Sequence, residues 1–213
     1  MIGKGKSISH GVAALEYDLA KEINGQAVAT EIARHELYGC TGAEMVQEMK
    51  PYHIDFPNVK NNCLRFEVSP SIEESATFTD ADWAELGNDF MQRMGLANHQ
   101  YIIIRHSGTE SKKEQAHLHI LANRVSLSGE LYRDNWIGKK ATEAANAIAK
   151  ERNFVQSQDI GKVNKAEIKE AMDGVLKKMQ GFDFTKFKEE LGKRGFKVRE
   201  ARASTGKLNG YYV

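Results

Sequence analysis

Two stretches carry the reading: Tyr101-Ile-Ile-Ile-Arg-His106 and, after a polar segment, His117-Leu-His-Ile-Leu-Ala-Asn123. Each is a short apolar run bounded by polar residues, the signature of a buried strand. Side chains alternate faces along a strand, so His117 and His119 leave from one side, about 7 Å apart. His106 closes the first run. The segment from Ser107 to Gln115 has no helical periodicity, which favours an antiparallel pair over parallel strands joined through a helix. If the two strands are neighbours, three imidazoles converge. A lone histidine on an apolar strand is ordinarily a satisfied core residue. A His-x-His pair with a third histidine at the end of a neighbouring strand is instead the pattern of a divalent metal site with open coordination positions.

The flanking sequence supplies helices and one more strand. Ser9 to about Asn24 reads as a helix, with Val12, Leu15, Leu19 and Ile23 at helical spacing and Asn24-Gly25 as its stop. Thr41 to Met49 reads as a second helix, ended by Pro51. Leu64, Phe66 and Val68 alternate with Arg65, Glu67 and Ser69 in a half-buried strand. Thr79-Asp-Ala-Asp82 opens a helix carrying Trp83, Leu86, Phe90 and Met94, closed by Gly95. Ser128-Gly129 makes a turn, and Ala141, Ala144, Ala145 and Ile148 mark a helix of small residues. Asn164-Lys-Ala-Glu167 reads as the cap of another helix, and Asp183 as the start of a further one ending at Gly195. Phe196 to Arg199 and Tyr211 to Val213, around Ser204-Thr-Gly206, read as a hairpin. The expected architecture is α+β in two layers: a central, mainly antiparallel sheet with its helices on one face.

Composition narrows the class. The chain has 213 residues, 41% hydrophobic and 28% charged, which suits one well-packed domain or slightly more. No window approaches the ~18 apolar residues of a membrane span, and the start lacks the apolar core of a signal peptide. Cys40 and Cys63 have no metal-like spacing and suggest no disulfide framework, so a reducing cytoplasm is the expected compartment. Charge is uneven: residues 161–213 hold 13 Lys/Arg against 7 Asp/Glu, a net +6, which leaves −5 on residues 1–160 of a chain at +1. A basic end suits a polyanion partner, and it also suits ordinary solvated helix faces. The chain stops inside an apparent strand, as a fragment of a longer protein would.

His106-x(10)-His117-Leu-His119, followed by Asn123-Arg124 and the Gly129 turn, resembles the third motif of conjugative and mobilisation relaxases. These are members of the histidine–hydrophobic–histidine endonuclease superfamily. The order of parts is similar too: a first helix with a tyrosine (Tyr17), a strand ending in Ser69, then the histidine strands. The loop before the paired histidines, Ser107 to Ala116, is longer than in many relatives. The resemblance covers residues 1–155 as a catalytic core, and more loosely 156–213 as helices and a hairpin completing the domain.

The resemblance implies a bacterial, cytoplasmic, monomeric enzyme that nicks and rejoins one DNA strand at an origin of transfer during plasmid or transposon mobilisation. A phenol is a poor nucleophile at neutral pH. The family solves this with a metal that polarises the scissile phosphate and a nearby base. Carried onto this chain, His106, His117 and His119 hold the ion, and Tyr17 attacks to give a 5′-phosphotyrosyl intermediate and a free 3′-hydroxyl. Mg or Mn is expected on availability, Ni or Zn on ligand affinity. The partners implied are single-stranded DNA at the transfer origin and auxiliary mobilisation proteins.

Other candidates follow from strand phase. Glu67, with Glu110 behind it, could orient a histidine N–H or take the tyrosine proton; a solvated strand-face glutamate is the alternative. Asn123 shares the phase of His117 and His119 and, with Ser69, could reach substrate. Arg124 falls on the other face, where a structural salt bridge explains it. Lys4 and Lys6 precede the Tyr17 helix, while Lys197, Arg199 and Arg202 lie at the C-terminal hairpin. All five are candidate phosphate contacts, or else charges protecting an edge strand. A tyrosine at a helix edge is often only packing, and Tyr38 and Tyr52 are fallback nucleophiles. Tyr132, after the histidine pair, would favour a rolling-circle replication initiator or single-strand transposase. A catalytically idle DNA-binding module, and a tri-histidine hydrolase using water, complete the alternatives.

Overall fold

Both histidine runs are strands, and they pair antiparallel with His106 opposite His117 and Ile104 opposite His119. The structure is a computed structural model that describes residues 1–108 and 115–213. It divides into two units, Met1–Ser157 and Gln158–Val213. In chain order the first contains β1 (Ile2–Ile8), α1 (Gly11–Leu19), β2 (Glu22–Ile23), β3 (Gln26–Ala27), β4 (Ala29–His35) and α2 (Gly42–Met49). There follow β5 (Cys63–Ser69), α3 (Ile72–Ser75), α4 (Asp80–Arg93), β6 (His99–His106), β7 (His117–Ser126) and α5 (Ile137–Glu151). Among the described residues one five-stranded sheet has the order β1-β5-β7-β6-β4, with every neighbouring pair antiparallel.

The α+β class and the antiparallel sheet are as the sequence leads one to expect. The placement of the helices on a single face is not. Phe66, Ile103, Leu118 and Ile120 meet Trp83, Leu86 and Phe90 of α4 and Ala141, Ala145 and Ile148 of α5. On the opposite face Cys63, Ile102, Ile104 and Leu121 meet Ala14 and Leu15 of α1 and Met45, Val46 and Met49 of α2. The reason lies in Ile102-Ile103-Ile104, all buried. A strand apolar on both sides needs cover on both sides.

Two strands carry no sequence signal of their own. Strand β1 pairs with β5, and its residues facing α5 are Gly3 and Gly5 rather than branched apolar ones. A Cβ on Gly3 would lie 2.6 Å from the Cβ of Ala145, and one on Gly5 would lie 2.8 Å from the Phe66 ring. The small residues of α5 and the glycines of β1 thus allow a close helix-to-strand approach. Strand β4 closes the other edge against β6.

The first helix is shorter than its periodicity suggests. It ends at Leu19, and Asn24-Gly25 turns the small β2–β3 hairpin with φ of 55° and 73°. An Asn-Gly pair with both φ positive is the preferred two-residue hairpin turn, which outcompetes helix continuation. Helix α4 has the expected reciprocal cap between Thr79 and Asp82 and a left-handed Gly95.

In the second unit α6 (Ser157–Leu176) and α7 (Phe184–Lys193) precede the hairpin of β8 (Arg199–Arg202) and β9 (Leu208–Tyr212). Ala171, Val175, Phe187, Leu191 and Val198 form its core. Asp183 caps α7 as expected. Asn164 caps nothing: α6 begins at Ser157, and its first turns are too polar to show an apolar stripe. No helix among the described residues is long and apolar enough to cross a membrane.

Candidate metal centre

Register brings the three histidines to one face. His106 ends β6, His117 and His119 open β7, and the β5 residue opposite His119 is Glu67. Ring centroids lie 4.4 Å apart for His106 and His119, 4.9 Å for His117 and His119, and 5.4 Å for His106 and His117. One nitrogen from each ring lies within 4.8 Å of the others.

The remaining nitrogens are anchored. His106 Nε2 donates to the Asp18 carbonyl at 2.7 Å, which leaves Nδ1 as its ligand nitrogen among the described residues. His117 Nδ1 donates to the Gln115 carbonyl at 3.1 Å, which leaves Nε2 to face His119 Nε2 at 3.1 Å. His119 Nδ1 lies 3.3 Å from Arg65 Nη2 and 3.7 Å from Asp18 Oδ1. Backbone and carboxylate groups behind ligand imidazoles fix ring orientation and tautomer.

Electrostatics favours the neutral rings that metal binding needs. Burial, reinforced by the neighbouring imidazoles, pushes His119 from an ordinary 6.5 to about 2. Burial also lowers His106. The Asp18 carboxyl is pushed above its ordinary range by burial, opposed by its pairing with Arg65. Neutral imidazole is the ligand form, so this donor set fits a divalent cation.

Tyr17, on α1, is 55% exposed, and its Oη accepts from Lys21 Nζ at 2.7 Å. Tyr17 stands one residue before Asp18, whose carbonyl accepts from His106, and the Lys21 charge adds slightly to the lowering of His106. Lys4 and Lys6 are on β1, opposite Glu67 and Arg65. With Arg65, Glu67 and His119 they line a cavity of 210 Å³. Ser69 accepts from Gln115 Nε2 at 3.2 Å, beside the loop carbonyl that holds His117.

Several expectations change. Glu67 pairs with Lys4 at 2.9 Å, and the carboxylate behind His119 is Asp18, delivered by the buried side of α1. Glu110 lies outside the described residues. Asn123 is 0% exposed, donates to Gln100 Oε1 at 3.0 Å and to the Met49 carbonyl, and meets His53 Nε2 through its Oδ1. Helix α2 and the turn after it cover that part of the face, so Asn123 has no atom left for nucleic acid. Arg124 pairs with Asp134 at 2.7 Å, the structural bridge expected of it. Tyr132 packs against the core of the opposite face, edge-on to His99 and apart from His106, His117 and His119. In the second unit Arg199 is exposed on β8, Lys197 precedes the strand, and Arg202 pairs with Glu200 at 2.6 Å, so no regular track of free cations alternates along one strand face.

Asp18, Arg65 and Gln115 escape the sequence reading as site residues. One signal was present for Asp18: it stands three residues after Leu15 and four after Ala14, a charge on the buried stripe of its helix. Arg65 and Gln115 give no such sign.

Residues 17–154 match the family model described as Relaxase: MobA/VirD2-like, nuclease domain. The chain belongs to this family. The match begins at the tyrosine of α1 and takes in all three histidines. No curated protein matches this chain. Among solved structures it is similar to the conjugative relaxase TrwC in complex with oriT DNA. The metal-bound form is 12% identical, with a TM-score of 0.42, and the metal-free form 10% identical, with a TM-score of 0.43. Each match covers 97% of this chain and 74% of that one.

Proposed function

We propose that this relaxase domain cuts and reseals one DNA strand at an origin of transfer through a covalent 5′-phosphotyrosyl intermediate on Tyr17. The observation that carries the reading is the convergence of three anchored imidazoles beside the helix that bears an exposed tyrosine. His106, His117 and His119 would hold the ion, Mg or Mn by availability and Ni or Zn by ligand type. A divalent cation there would supply Lewis-acid stabilisation of charge on a non-bridging phosphate oxygen.

The chain's own residues do the rest. Tyr17 Oη attacks phosphorus in line, the bond to the 3′ oxygen breaks, and the phosphodiester energy is retained in the new ester. Lys21, donating to Oη, sets a positive charge where phenolate character develops. Glu67 is the proposed proton acceptor, half-buried opposite His119 and paired with Lys4. Lys4, Lys6 and Ser69 border the histidine face and suit phosphate contacts, whereas Lys197 and Arg199 would add only general affinity. Auxiliary mobilisation proteins would present the strand to a monomeric enzyme. The position of Tyr132 on the opposite face speaks against a nucleophile placed after the histidines.

The test is a denaturing gel of protein incubated with Mn²⁺ and labelled single-stranded origin DNA. A covalent protein–DNA band is expected, lost in Tyr17→Phe and on chelation. Cleavage without an adduct would instead identify a hydrolase that uses water.

A further inference from the structure

We infer that Asp18 couples occupancy of the histidine site to the placement of the helix that carries Tyr17, so that loading the ion also fixes the nucleophile. The inference rests on the reading of the three histidines as a metal centre. It arises from one residue touching two of the three rings. The backbone carbonyl of Asp18 accepts from His106 Nε2 at 2.7 Å, and its carboxylate stands 3.7 Å from His119 Nδ1. Asp18 is 1% exposed, and Arg65 of β5 grips both its carboxylate oxygens, Nε at 3.0 Å and Nη2 on the second. Helix α1 is therefore tied to the sheet at the site itself, one residue from the exposed phenol.

The hydrogen-bond pattern gives this tie a direction. Arg65 can only donate, so its 3.3 Å contact makes His119 Nδ1 an acceptor and leaves the ring proton on Nε2, facing His117. An ion at Nε2 would need the other neutral tautomer of the ring, with its N–H on Nδ1. The acceptor standing ready for the new N–H is Asp18 Oδ1. Filling the site would thus exchange the Arg65–His119 contact for an Asp18–His119 hydrogen bond, and α1 would gain a second tie to the histidines beside the Asp18 carbonyl. By linkage, whatever loosens Asp18 must weaken the ion by the same factor.

Hydrogen exchange of the whole chain with and without Mn²⁺, paired with titration calorimetry of Mn²⁺, tests this. Mn²⁺ should slow exchange of the α1 amides on the order of 10-fold in the unaltered protein. Asp18→Asn should bind Mn²⁺ about 10- to 100-fold more weakly and, at saturating Mn²⁺, should lose the α1 protection. Mn²⁺ binding that leaves α1 exchange unchanged, or equal affinity in Asp18→Asn, overturns the coupling and leaves the metal reading intact. Absence of Mn²⁺ binding to the unaltered protein overturns both. If Asp18→Asn does not fold, the exchange measurement on the unaltered chain decides alone.

Discussion

His119 shows how much chemistry one buried side chain can hold. Burial and two neighbouring imidazoles push its pKa down to about 2, and burial lowers that of His106 as well. In the unfolded chain both rings titrate at an ordinary 6.5. Below that pH the unfolded state binds more protons than the folded one, so stability is complete above pH 6.5 and falls as pH drops toward the lowered folded values. In metal-free protein the urea midpoint should fall between about pH 7.5 and 5.5, and fall less in His119→Gln. Equal midpoints at the two pH values would refute the buried neutral pair. The three histidines were legible from strand phase alone, because alternation is a local rule. Asp18 showed only as a charge on a buried stripe, and its partners were hidden: it meets His106 across 88 positions of chain and Arg65 across 47, and no local rule reaches that far.

At the level of elements, strands β5, β6 and β7 were readable because apolar alternation or an unbroken apolar run marks each of them. Strand β1 was unreadable for the opposite reason, since glycine where the helix approaches contributes no hydrophobic signal. That economy makes a sharp prediction. Gly3→Ala puts a methyl group 2.6 Å from the Cβ of Ala145 and against the Ala141 carbonyl, and backbone cannot yield cheaply. The variant should lose about 1–3 kcal/mol in chemical denaturation, and DNA binding should weaken with it because Lys4 and Lys6 ride on the displaced strand. Wild-type stability in Gly3→Ala would mean that α5 and β1 are less closely packed than their contacts indicate. The overlong first helix in the sequence reading has an equally local cause. Ile23 continues the apolar period, but Asn24-Gly25 favours a hairpin, and a turn with two positive φ values ends what periodicity would extend.

Over the whole molecule, the two units hold cores of very different size. Residues 1–157 enclose a sheet covered on both faces, whereas residues 158–213 rest on five buried apolar side chains. Small cores open at lower cost. Amides of α7 and the β8–β9 hairpin should therefore exchange at lower urea than those of β5, β6 and β7; a single common transition would show the units to be one cooperative body. The sequence by itself determined the three central strands β5, β6 and β7, the shared face of His117 and His119, the caps of α4 and α7, and a tyrosine on the first helix. All of these follow from periods of two and 3.6 residues acting over short range. Only the tertiary structure decided that helices lie on both faces, that Asn123 is sealed in the core, and that Asp18 rather than Glu67 stands behind His119. Those outcomes depend on which distant surfaces meet, and that is settled by burial and packing over the folded molecule.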